Sequence, residues 1–335
     1  MEGRDLVRAV DVVVVGGGIV GMTCAVALGR RGARVRVVTA DVPARTTSWL
    51  AAAVWYPVGI GGDHRVLTFA RETFEVFAEQ AARGTPGVSM IDTRMLHRRP
   101  SPADPWWSAA VPGFAADTAE EPFTGAWRFS VPMVEMPVYL PWLREQAANL
   151  GVHVRAKTVA SLAEIADDAD AVVNATGLAA RTLCGDRTVR PVRGQVIRAS
   201  NPGLTASVRD EDNPGGHTYV HPRRHDVIVG GTFEPGIADT APSPDTARAI
   251  WTRACELVPE LRQADVLDHH VGLRPVRERG PRVELDRRLV PGRTIVHNYG
   301  HGGAGITLAW GSARETAALI ERTSEPEPES SRALG

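Results

Sequence analysis

Gly16, Gly18 and Gly21 follow a run of four valines, Val12 to Val15, and lead into the small and apolar segment Met22 to Leu28. This spacing suits a loop that turns tightly out of a buried strand, lets a pyrophosphate reach bare backbone, and lets a helix pack closely on the strand. The N–H groups at the start of that helix then face the phosphates. A second apolar strand, Arg34 to Thr39, leads to Asp41, placed where an acid can bond a ribose hydroxyl. Thr46, Thr47 and Ser48 come next and can donate to phosphate oxygens. The chemistry is dinucleotide binding, and this stretch does not choose between FAD and NAD(P).

Two later segments do. Ala171 to Asn174 reads as another buried strand, and it ends in Ala-Thr176-Gly177, the place where a late parallel strand of a dinucleotide fold lies against its cofactor. Thr294 to Tyr299 is a further apolar strand, followed by Gly300-His-Gly-Gly-Ala-Gly305 and an apolar helix from Ile306 to Arg322. That unit repeats the anion-binding logic of the first. Two helix N-termini on one cofactor suit FAD, one for the pyrophosphate and one for the flavin.

The elements that must position these residues indicate an α/β fold. It comprises a Rossmann-like FAD-binding domain and a β-rich, mostly antiparallel α+β substrate domain. Helices are expected over Asp63 to Arg83, Val138 to Leu150 and Ser243 to Val258, with Ser243 as N-cap. Val88 to Leu96, Ala126 to Val134 and short segments split by Gly and Pro between Val189 and Val276 read as strands. The proline-rich span Arg99 to Pro122 reads as loop, pinned by Trp106, Trp107 and Trp127. Residues 1–45, 140–185 and 280–322 are assigned to the cofactor domain, and 46–139 and 186–279 to the substrate domain. The Glu-, Ser- and Pro-rich stretch 323–335 is expected to be disordered.

Bulk properties narrow the class. The chain of 335 residues has 43% hydrophobic and 23% charged residues and a formal net charge of -1, so neither nucleic acid nor an anionic membrane is an expected partner. No apolar run is long enough to cross a bilayer. Cys24, Cys184 and Cys255 are too few and scattered for a disulfide framework, and the amino terminus lacks a secretion signal, so a cytoplasmic location is expected.

The segment Ile295 to Ala313, with Val271-Gly-Leu-Arg-Pro-Val-Arg277, Arg193-Gly-Gln-Val196 and Val172-Val-Asn-Ala-Thr-Gly177, resembles the D-amino-acid oxidase family over about residues 10 to 320. The resemblance implies oxidative deamination of D-amino acids by hydride transfer from Cα to flavin N5, giving a 2-oxo acid, ammonia and hydrogen peroxide. Arg274 would hold the substrate carboxylate through its guanidinium fork. Tyr219 would donate its phenol to the same carboxylate, and the Gly303 carbonyl would receive the amine. Val54, Tyr56 and His221 would line the pocket. Contacts to a non-covalent FAD would come from Gly16, Gly18, Ile19, Val20, Asp41, Thr46, Thr47, Ala53, Val54, Val159, Thr176, Arg274, Gly302, Gly303, Gly305, Ile306 and Thr307. No side-chain base is required, since the amine enters neutral and a phenol is a poor base. No metal site is expected. The partners implied are a D-amino acid and dioxygen, with a homodimer as the assembly.

The chain departs from the family pattern in three places. Asp210 to Thr218 is short and carries no lid tyrosine. His221 stands where an aliphatic residue is usual. Phe233 follows Gly230-Gly-Thr where the acidic-substrate branch has arginine, so neutral or apolar substrates are expected over D-aspartate. A glycine or sarcosine oxidase is the alternative enzyme, and a D-aspartate oxidase another. His297 and His301 read as structural parts of the glycine loop.

Overall fold

A computed structural model describes residues 9–57, 60–99 and 103–324. The amino-terminal segment before Ala9, Pro100, Pro102 and the tail from Glu325 onward lie outside them. In chain order the elements begin with β1 (Asp11–Val15), α1 (Ile19–Gly29), β2 (Arg34–Thr39), α2 (His64–Ala82) and β3 (Val88–His97). Next come β4 (Ala115–Asp117), β5 (Gly125–Val134), α3 (Met136–Asn149), β6 (His153–Ala156), α4 (Ala163–Ala166), β7 (Ala171–Asn174) and α5 (Ala180–Leu183). The β-rich stretch holds β8 (Val189–Ser200), β9 (Ser207–Asp210), β10 (Thr218–Pro222), β11 (Asp226–Gly230) and β12 (Glu234–Pro235). The chain closes with α6 (Pro244–Leu257), β13 (Val266–Arg277), β14 (Arg282–Asp286), β15 (Thr294–Tyr299) and α7 (Gly305–Ser324).

One sheet runs β14-β15-β7-β1-β2-β6 and is parallel except for β14. β1 sits in its middle, so its valines are covered on both faces. Val12 and Val14 pack with α1, α3 and α7, while Val13 and Val15 pack with Leu162 and Ile165 on the other side. Helix α1 is buried on nearly every face, which explains why it carries small and apolar residues throughout.

The second sheet runs β12-β8-β11-β10-β9-β3-β5-β4, with β13 paired along β8. It is antiparallel except for the β3–β9 pair, as the segmentation by Gly and Pro implies. Helix α6 covers one of its faces through Ile250, Ala254 and Leu261 of the following turn.

Local signals placed most element ends correctly. Asp63 caps α2 by accepting from Val66 N at 2.8 Å, and Ser243 caps α6 by accepting from Thr246 N at 3.3 Å. Trp107 is buried in an aromatic cluster with Trp55, Phe114, Trp127 and Phe129, which pins the proline-rich loop as expected. β4, β12 and β14 were not anticipated; all are short and lie toward sheet edges, where half of the side chains are polar. Helix α7 runs to Ser324, two residues into the segment expected to be disordered. Helix α2, grouped by sequence with the substrate half, packs along α7: Gly311 N donates to Thr73 Oγ1 at 2.9 Å, and a Cβ at Gly311 would fall 2.4 Å from Phe69 backbone.

Candidate active site

A cavity of about 1030 Å³ opens at the carboxyl ends of β1, β2 and β7 and extends over one face of the second sheet. Clefts that hold cofactors and drug-sized ligands span roughly 300–1,000 Å³, so there is room here for a dinucleotide and a small substrate. Every residue expected to contact FAD or substrate lines this cavity, with Thr307 the exception.

At the dinucleotide end, the glycines are required by space. Gly16 has φ +122, and a Cβ on it would fall 2.3 Å from the Ala175 carbonyl oxygen. A Cβ on Gly21 would fall 2.0 Å from the Gly16 carbonyl oxygen, so helix, loop and strand close up only without side chains. Helix α1 has no side-chain cap at Gly18, but Ile19 N donates to Ser48 Oγ at 3.0 Å. Thr46 and Thr47 are held by donating to the Pro43 and Leu273 carbonyls at 2.7 and 3.1 Å. Asp41 stands exposed on the cavity wall, free of the packing that holds β2.

Thr176 heads a buried row of hydrogen bonds. Its Oγ1 donates to Asn174 Oδ1 at 2.7 Å, Asn174 Nδ2 meets His297 Nδ1 at 3.2 Å, and His297 Nε2 meets Asp286 Oδ2 at 3.2 Å. Asn174 can only donate to Nδ1, so the proton of a neutral His297 lies on Nε2, facing Asp286. Burial, reinforced by the Arg282 cation, lowers the His297 pKa to about 4. His301 is buried with Nε2 unpartnered, and burial lowers it to about 4 as well. Both are neutral parts of the framework near pH 7.

The second glycine unit forms a tight turn, Gly302–Ala304, directly ahead of α7, and Gly303, Gly305 and Ile306 face the cavity. The starts of α1 and α7 thus open on one space, and their dipoles favour negative charge there. Thr307 is buried and its hydroxyl is committed to Tyr56: Oγ1 accepts from Tyr56 N at 3.0 Å and donates to Tyr56 O at 2.8 Å. Ala53 carries the chain to Tyr56 through a left-handed φ of 58, a conformation that costs roughly 1–2 kcal/mol. The bare glycine cradle, two open helix starts and a cavity of this length fit an FAD. Cys24, Cys184 and Cys255 are free, and none lines the cavity.

At the other end, glycines make room for side chains. A Cβ on Gly194 would fall 2.2 Å from Arg274 Nη1, and a Cβ on Gly230 would fall 2.1 Å from Tyr219 Cζ. Arg274 is half-buried on β13, with Nη1 donating to Thr232 O at 3.1 Å and Arg193 O at 3.4 Å, and its guanidinium lies 5.6 Å from the Phe233 ring. Among the described residues no carboxylate pairs with it. A partly desolvated guanidinium facing a cavity without an anion beside it is poised for an anionic ligand.

His221 is buried, stacked on Tyr219 at 4.6 Å with an interplanar angle of 16°, and hydrogen-bonded through Nδ1 to Ser207 Oγ at 2.7 Å. Burial, with the Arg209 cation nearby, lowers its pKa well below the usual value. It faces the cavity as the alternation with Tyr219 implies, and it braces the Tyr219 ring. The sequence reading missed Arg209 and Glu211, which line the same wall. Arg209 is the register partner of Tyr219 across β9 and β10. The signal available was the two-residue alternation of Ser207, Arg209 and Glu211, the same period that links Tyr219 to His221.

A family model described as FAD dependent oxidoreductase matches residues 11–319 of the chain. The chain is 47% identical over 323 residues to a D-amino-acid oxidase of Rubrobacter xylanophilus, covering 95% of this chain and 97% of that one. It is 44% identical over 313 residues to a D-amino-acid oxidase of Streptomyces coelicolor, covering 92% and 96% of the two chains. A solved glycine oxidase from Geobacillus kaustophilus has the same fold, with a TM-score of 0.80 at 22% identity over 98% of this chain and 100% of that one.

Proposed function

The chain belongs to the FAD-dependent oxidoreductase family, and from that premise we propose that it is an oxidase of D-amino acids with neutral or apolar side chains. The observation that carries this reading is Arg274, a half-buried guanidinium that faces the cavity with no carboxylate paired to it among the described residues. The substrate carboxylate supplies the missing partner through two parallel hydrogen bonds. Tyr219, reached from the adjacent sheet strands, donates its phenol to the same carboxylate. The Gly303 carbonyl accepts from the amine, so the amine is bound neutral with its lone pair free. Tyr56 lines the side-chain end, and the Phe233 ring stands beside the Arg274 guanidinium.

Gly16, Gly18, Ile19, Asp41, Thr176 and the Gly302–Ile306 turn would hold the FAD. A bound flavin would supply the hydride acceptor for Cα and the route of the electrons to dioxygen. The protein contributes orientation and electrostatics. Anchoring carboxylate, amine and side chain fixes three substituents of Cα and leaves one place for its hydrogen, so one enantiomer reacts. The imine released hydrolyses in water to a 2-oxo acid and ammonia. The buried, neutral His221, His297 and His301 take no part as bases. No helix among the described residues is long and apolar enough to cross a membrane, and a soluble cytoplasmic enzyme acting as a homodimer is the setting we propose.

The test is peroxide formation by the FAD-loaded protein. D-alanine, D-valine and sarcosine are compared, with L-alanine as control. Oxidation of the two D-amino acids well above sarcosine is expected. Preference for sarcosine would make the chain a secondary-amine oxidase, and failure to bind flavin would remove the reading altogether.

A further inference from the structure

The wall that carries Tyr219 and His221 contains a second guanidinium. Arg209 is 4% exposed and lies across the β9–β10 ladder from Tyr219, with its Cζ 5.8 Å from the Tyr219 ring and 3.8 Å from the Tyr56 ring. Its Nη2 donates to Glu211 Oε1 at 2.6 Å, while its Nε is buried without a partner. The other oxygen of Glu211 accepts from the Tyr56 phenol at 3.1 Å. Asp210, between them in sequence, turns to the opposite face and is taken by Arg98, with Nη2 to Oδ2 at 2.6 Å. A titratable neighbour on the cavity side is His221, which burial and the Arg209 cation keep neutral and whose Nδ1 is hydrogen-bonded to Ser207 Oγ.

A cation buried beside the substrate's carboxylate anchor would by itself recruit a second carboxylate. Glu211 takes that place from within the chain. Both residues line the cavity, and the Glu211 side chain is the more exposed of the pair, 27% against 5% for Arg209. We propose that Glu211 is the specificity determinant of this pocket: it satisfies Arg209 as an internal carboxylate, so that acidic D-amino acids are rejected and uncharged ones accepted. This rests on the D-amino-acid reading above. Rejection has two sources. A substrate carboxylate meets Glu211 as a like charge, and the Arg209 charge is already paired with that acid. The Tyr56 phenol holds Glu211 in position, and Thr307 in turn holds the Tyr56 backbone.

The proposal predicts reciprocal changes in two variants of the FAD-loaded enzyme, each read as a ratio of kcat/KM values within one protein. Glu211→Gln keeps an oxygen for the Tyr56 phenol and removes the charge; the ratio for D-glutamate over D-alanine is expected to rise about tenfold or more. Arg209→Met leaves Glu211 uncompensated; the ratio for D-lysine over D-alanine is expected to rise by about the same factor. Both ratios staying within about twofold of the unaltered enzyme would overturn the proposal, and if one variant does not fold the other decides. A non-reacting pair, glutarate and butyrate, gives a binding readout through the flavin absorbance. Glutarate is expected to gain about tenfold over butyrate in Glu211→Gln, and no gain would count against the assignment. If the unaltered enzyme binds flavin but oxidises no D-amino acid, the oxidase reading fails, and the glutarate measurement still decides the role of Glu211.

Discussion

Thr307 grips the backbone of Tyr56 at both of its polar groups, accepting from its N–H at 3.0 Å and donating to its carbonyl at 2.8 Å. The start of α7 and the pocket wall are therefore one unit. Thr307→Val keeps the shape and removes both partners. Each backbone group left unpaired in a buried site costs about 1–3 kcal/mol. The expected result is a lower urea midpoint and a raised KM for D-alanine, measured with saturating FAD. Unchanged values for both would mean that Tyr56 is held by other contacts.

Arg274→Ala should lose most activity while the protein stays yellow. Losing a charge-assisted pair to the substrate carboxylate costs roughly 3 kcal/mol, about a hundredfold in kcat/KM. The side chain also occupies the Thr232 and Arg193 carbonyls, which water can then reach. Steady-state kinetics beside a flavin absorbance spectrum checks this, and near-normal kinetics would take Arg274 out of the site.

Ser48→Ala should weaken FAD binding more than it weakens the fold. The Ser48 hydroxyl accepts from Ile19 N at the first turn of α1 and still has its own proton to donate. Removing an N-terminal capping oxygen typically costs about 1 kcal/mol of stability. A loss of flavin affinity well beyond that, measured by titrating the apoprotein, is expected if the hydroxyl also serves a phosphate.

Stability should fall as the pH is lowered from about 6.5 to about 4. His297 and His301 are held neutral chiefly by burial, with folded pKa values of about 4. In the unfolded chain a histidine takes its proton near ~6.5. Between these limits the unfolded state binds more protons, so acid favours it, by up to about 1.4 kcal/mol per pH unit for each histidine. His221, also lowered, acts in the same direction. Urea midpoints of the FAD-saturated protein at pH 7, 6 and 5 should decline in order; a flat series would mean that these histidines gain protons without unfolding.

The strand–glycine–helix units at both ends of the chain were legible because their chemistry is local. Valines buried on both faces, glycines at fixed steps and an acid on the next strand all lie within a short span. Arg274 and Tyr219 were found only through a resemblance, since nothing in β13 or β10 alone says that their faces share a cavity. Arg209 and Glu211 escaped notice for a related reason. A charged residue in a strand ordinarily reads as solvent-facing, and what buries Arg209 is the β9–β10 register together with Tyr56, far away in sequence. β14 was missed because Arg282-Val-Glu-Leu-Asp286 is only half apolar, as befits an edge strand whose Arg282 reaches Tyr299.

The room occupied by Arg274 and Tyr219 exists because Gly194 and Gly230 carry no side chain. This constrains how the pocket can diverge. Point mutations at either glycine add atoms where there is no space, so evolutionary routes to new substrates through these two positions begin with a loss. Arg209, Glu211 and Phe233 line the same cavity without that constraint. Substitutions there can change the side chains the cavity accepts while the carboxylate anchor stays fixed.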